Sequence, residues 1–171
     1  MPKGNEGAED RVPLPRDPDA VTPEWLTAAL RSRGHDVTVA SFRRSGVGEG
    51  IGMMSGLERL DVEYATGSGP PVIVLKMPAR NDANRAVAEA FHLYERELLF
   101  YRDVAPRSAA RTPEVYYADL DGSDFVLLLE DLSDYRLGDQ VQGCSLEVRR
   151  HQVEGGAVVV DQQDGRVDRP G

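Results

Sequence analysis

Apolar positions change period three times along this chain. Val87, Phe91, Tyr94, Leu98 and Tyr101 recur in steps of four, three, four and three, which predicts one amphipathic helix over about 83–103, ended by Pro106. An earlier, shorter stripe of Trp25, Leu26, Ala29 and Leu30 follows Thr22-Pro23, an N-cap with a helix-compatible proline, and stops at Gly34, so residues 23–33 read as a second helix. Elsewhere the pattern belongs to strands. Val37, Val39 and Phe42 begin a strand region, Gly46 to Gly52 interrupt it, and Leu57, Leu60, Val62 and Tyr64 continue it. Gly67 to Pro71 turn the chain into a third strand at 72–77. Residues 114–119 and 125–130 supply two more, with Asp121-Gly122 as the turn between them. The sum is an α+β domain with a five-stranded antiparallel sheet and one main helix. Residues 1–20, rich in Pro, Gly and charge, are expected to form a disordered arm, and residues 148–171 a polar, disordered tail.

Composition narrows the function classes. Twenty basic against 29 acidic residues leave a net charge of −9, which argues against nucleic acid and anionic membrane surfaces as partners. Cys144 is the only cysteine, so no internal disulfide or thiolate zinc site can form. Together with the absence of a secretory pattern, this favours a cytoplasmic location. The longest apolar runs, at 72–75 and 125–129, are far too short to span a bilayer.

Three stretches carry candidate chemistry. The Gly46, Gly48, Gly50 and Gly52 run lies between two strands, where small residues let backbone N–H groups approach a phosphate, although the spacing fits no standard phosphate-loop pattern. The strand Val72-Ile-Val-Leu-Lys76 ends in a cation. Its two-residue period puts Val74 and Lys76 on one face, an apolar contact for a base followed by a charge for its phosphates. Glu95 and Glu97 both lie at the edge of the helical stripe, about 80° to either side of its centre, so periodicity leaves either as the partner of Lys76. Finally, Phe125-Val-Leu-Leu-Leu129 runs into Glu130-Asp131-Leu132, a connector whose backbone suits the edge of an adenine.

In this order, the glycine run, Lys76, Glu97-Leu-Leu-Phe100-Tyr101 and Leu128-Leu-Glu130-Asp131-Leu132 resemble the N-terminal lobe of phosphotransferase-family small-molecule kinases. These are the aminoglycoside phosphotransferase, choline kinase and ecdysteroid kinase-like enzymes of the protein-kinase-like fold. The resemblance spans about Val37 to Glu147. It implies ATP with magnesium as cofactor and a small-molecule hydroxyl as acceptor. It selects Glu97 as the partner of Lys76, places Gly48 and Gly50 over the phosphates, and puts the Glu130 carbonyl and Leu132 amide against adenine with Leu129 behind them. Residues 21–135 would form the lobe and 136–147 a connector toward a helical C-terminal lobe.

That second lobe is not legible in the sequence. His35, His92 and His151 each lack an aspartate two positions on, so no His-x-Asp catalytic loop can be placed. Asp119-Leu-Asp121 reads as turn chemistry, and Asp164-Gly165 as a chance echo of a metal-binding motif. The expectation is a truncated gene product with a frame change near residue 147, inactive alone, with an exposed, partly apolar face that favours aggregation. A non-catalytic interaction fragment that binds no nucleotide is the alternative reading.

Overall fold

The computed structural model describes residues 12–46, 55–109 and 111–135. Five strands form one antiparallel sheet: β1 (Thr38–Gly46), β2 (Ser55–Thr66), β3 (Val72–Pro78), β4 (Val115–Asp121) and β5 (Asp124–Glu130), in the spatial order β1-β2-β3-β5-β4. The α+β class and the five strands agree with the pattern of apolar positions. Asp121 pairs with Asp124 across Gly122-Ser123, and Gly122, at φ +63°, supplies the left-handed residue that so tight a hairpin requires.

Strand period sorts the side chains onto two faces. Ile73, Leu75 and Met77 of β3 join Leu60, Val62, Val126 and Leu128 on one face, beneath helix α1 (Pro23–Arg31). Helix α1 begins where Thr22 Oγ1 accepts the Trp25 N–H at 3.2 Å, and it buries Trp25, Leu26, Ala29 and Leu30. Trp25 meets Tyr117 edge-on, with ring centroids 5.6 Å apart. In β4 the partners step from Val115↔Leu129 to Tyr117↔Leu128, so Tyr116 is an extra residue, and this bulge lets both tyrosines join the α1-side core.

Two expectations need correction here. From Val12 onward the N-terminal segment is no loose arm. Val12 is buried in the α1-side core, Leu14 packs against it, and Trp25 Nε1 donates to the Pro13 carbonyl at 2.6 Å. Asp17 then caps a turn at Pro18–Ala20.

The long helix is also broken. It divides into α2 (Asp82–Ala90) and α3 (Leu93–Leu99), because His92 adopts a left-handed conformation with φ 52°. Beyond α3 the chain widens into a π turn at Phe100–Val104 and closes in a 3-10 turn at Ala105–Arg107. Pro106 offers no N–H to the helical ladder and its ring crowds the preceding turn. The break resets the helical phase, so the anticipated stripe does not bury as a unit. Tyr94 is buried, whereas Val87 and Phe91 are exposed, as are Phe100 and Val104. The expected tail at 148–171 and connector at 136–147 lie outside the described residues.

Candidate functional site

The second face of the sheet carries the candidate residues. Cross-strand pairing sets Leu57 and Leu127 on either side of Lys76, and Arg59 and Leu129 on either side of Val74. Directly paired residues share a face, so these six side chains form two adjacent rows. Ala88, Tyr94, Phe125, Leu127 and Leu129 make a compact cluster there, with Val74, Leu93 and Tyr101 packed against it.

Tyr94 anchors α3 to this face. Its ring stacks on Phe125 with centroids 4.4 Å apart, and its hydroxyl accepts the Ala79 N–H at 3.3 Å. Counted from Tyr94 at 3.6 residues per turn, Glu97 lies about 60° around the axis and Glu95 about 100°. Glu97 therefore faces the sheet, where its Oε1 accepts from Lys76 Nζ at 2.5 Å. The two side chains retain 20% and 26% of their exposure, so the pair is shielded but open to a ligand on one side. Glu95 turns outward instead, with its carboxylate 3.4 Å from His92 Nδ1. Tyr101, one turn beyond Glu97, is half-buried, and burial followed by the Glu97 charge raises the pKa of its phenol.

At the far end of β5, Glu130 is tied to neighbouring backbone and side chains. Its carboxylate pairs with Arg111 and accepts the Glu114 N–H at 3.0 Å, and the Arg111 contact leads the causes that lower its pKa. Asp131 accepts from both the backbone and the hydroxyl of Ser133, at 3.2 and 2.7 Å. Its carboxylate also lies 3.3 Å from the Arg59 guanidinium. Leu132 is half-buried and its carbonyl accepts the Tyr135 N–H at 2.9 Å. Gly48 and Gly50 lie outside the described residues. The strand ends that flank them are described, and Ser55 pairs with Pro78 only two positions from the Leu57–Lys76 pair. The connection from β1 to β2 thus leaves the sheet at the Lys76 end.

The structure brings Val74, Lys76, Glu97 and Leu129 together and sets Glu130 and Leu132 at the strand's exit. Arg59 and Asp131 also border this face, and no sequence signal singled out Arg59. It sits in a strand of weak alternation, and Asp131, the nearer of its two carboxylate neighbours, is remote in sequence. A cavity of about 410 Å³ opens elsewhere, between the helix break and the β4–β5 hairpin, lined by Glu89, His92, Glu95 and Ser123. Of the residues weighed as candidates it contains only Glu95, and Lys76 and Glu97 lie outside it. Among the described residues no group of three or more His, Cys, Asp or Glu side chains could hold a metal ion. No helix among them is long and apolar enough to cross a membrane.

A five-stranded antiparallel sheet with a helix glutamate closed on a strand lysine has the architecture of a kinase-like N-terminal lobe. The model of the ecdysteroid kinase-like family matches residues 49–154, more than half of the sequence, and the chain belongs to that family. No curated protein and no solved structure matches it.

Proposed function

We propose that this lobe binds ATP for a phosphotransferase that delivers the γ-phosphoryl group to a hydroxyl of a small molecule. The observation that carries the reading is the 2.5 Å contact between Lys76 and Glu97 on the same face as Val74 and Leu129. Glu97 fixes the ammonium at the strand end, where it serves the α- and β-phosphates. Val74 and Leu129 offer apolar contact to the base, and the backbone of Glu130 and Leu132 offers hydrogen bonds to its edge. Such bonds contribute about 1 kcal/mol each and orient the base more than they hold it. Gly48 and Gly50 would cover the phosphates from the β1–β2 connection.

Magnesium, when it arrives with the nucleotide, shields phosphate charge. The described residues supply no ligand cluster for it, so the protein's share at this face is the ammonium and the apolar wall. Transfer also needs a base to take the proton of the acceptor hydroxyl, and the sequence contains no His-x-Asp loop to provide one. The 171 residues alone are therefore expected to bind nucleotide without transferring phosphate.

Calorimetric titration with ATP-Mg tests the reading. Trp25 is a poor reporter, since it packs on the opposite face of the sheet. Replacing Lys76 by Ala is expected to weaken ATP about ten- to a hundredfold, the scale of a charge-assisted contact, and Glu97→Gln to weaken it less. A wild type that takes up no ATP, or a Lys76→Ala variant that binds equally well, counts against it.

A further inference from the structure

Arg59 is a further cation on the Lys76 face, and its position differs in kind. It stands directly opposite Val74, two residues along β2 from the Leu57–Lys76 pair, or about 7 Å from the phosphate-binding row. Asp131 Oδ2, at the connector, lies 3.3 Å from its Nη2, and Asp61 Oδ1 lies 3.7 Å from its Nε. The Nε atom is buried without a hydrogen-bond partner, although the side chain as a whole keeps 37% of its exposure. An aliphatic residue opposite Val74 would complete an apolar wall without burying a charged group. A guanidinium at ion-pair distance from two carboxylates is costly there, yet they bias it to one place and it still presents surface on the Lys76 face.

Building on the nucleotide-binding reading, we propose that Arg59 is a base-binding residue whose guanidinium plane covers the purine, with Asp131 as the positioning group. A guanidinium stacks on a nucleobase and adds a cation–π attraction that an aliphatic side chain lacks. Held by Asp131, it cannot swing the further 7 Å or so along the strand to the phosphates. Arg59 therefore discriminates at the base, and Lys76 at the phosphates.

The test is a pair of titrations, adenosine and ATP-Mg, against the wild type, Lys76→Ala, Arg59→Lys and Arg59→Ala, with thermal melts of each. Arg59→Lys retains the charge opposite Asp131 but loses the plane. Both Arg59 variants are expected to weaken adenosine and ATP by the same factor, about three- to thirtyfold, with Arg59→Lys melting close to the wild type. Lys76→Ala is expected to weaken ATP alone. If Arg59→Lys binds both ligands as the wild type does, Arg59 is only a strut between β2 and the connector, and the proposal is overturned. Loss confined to ATP overturns it too, by assigning Arg59 to the phosphates. If the wild type binds neither ligand, the nucleotide reading itself falls, an outcome distinct from failure at Arg59 alone.

Discussion

Glu130 couples the exit of the central sheet to pH. Arg111 engages its carboxylate and, with the Glu114 N–H, moves the pKa below the ordinary 4.5, against a smaller opposing push from burial. A carboxylate depressed in the folded state stabilises the fold above its unfolded pKa, and that contribution disappears as pH falls through the folded value. In Arg111→Ala the leading cause of the depression is gone. The variant is expected to melt below the wild type at pH 7, and the two melting curves to converge once the pH drops below the depressed value. A melting difference that is constant from neutral to acid pH would refute the coupling. Tyr64 gives the opposite sign: burial raises its phenol to about 12, so its contribution is present below pH 10 and lost as pH rises from there. At this scale the sequence was generous with Lys76, which ends an unmistakable buried strand. It was silent on Arg59, because a long-range pair between strand and connector has no local signature.

The break between α2 and α3 is the element that decides the site. A straight helix would keep Val87, Phe91 and Tyr94 in one stripe; the left-handed residue at His92 instead lets α3 seat Tyr94 while Phe91 stays outside. Non-glycine residues pay about 1–2 kcal/mol for that conformation, and β-branched residues more. His92→Gly is therefore expected to leave stability unchanged or raise it by up to about 1 kcal/mol, the relief of strain being offset by the freer unfolded chain. His92→Ile should cost at least about 1–2 kcal/mol. Chemical denaturation of both variants checks the ordering, and a glycine variant less stable than the isoleucine one would contradict it. No glycine or proline marks the break, which is why periodicity extended the helix across it and left Glu95 and Glu97 level. The residues Glu97-x-x-Phe100-Tyr101 separated them only through family resemblance. Composition likewise concealed Val12 and Leu14, two apolar residues in a polar stretch that pack with the α1-side core.

Across the whole molecule the sheet is covered unequally. The α1 side buries a broad set of side chains from all five strands, the helix and the N-terminal segment, whereas the opposite side has five buried residues among those described. Lys76 projects from a strand paired on both edges, but Glu97 rides on a seven-residue helix fastened mainly through Tyr94. So short a helix has almost no stability of its own. The two halves of the Lys76–Glu97 contact should accordingly open on different timescales. In native-state hydrogen exchange, amides of α3 are expected to lose protection at least about a hundredfold faster than those of β3, equivalent to a difference of about 3 kcal/mol in opening free energy. Equal protection in the two elements would show that they open as one unit. The Lys76–Glu97 contact then persists only as long as its helix does, and on the proposed nucleotide-binding reading ATP should slow exchange in α3 far more than in the strand that carries the lysine.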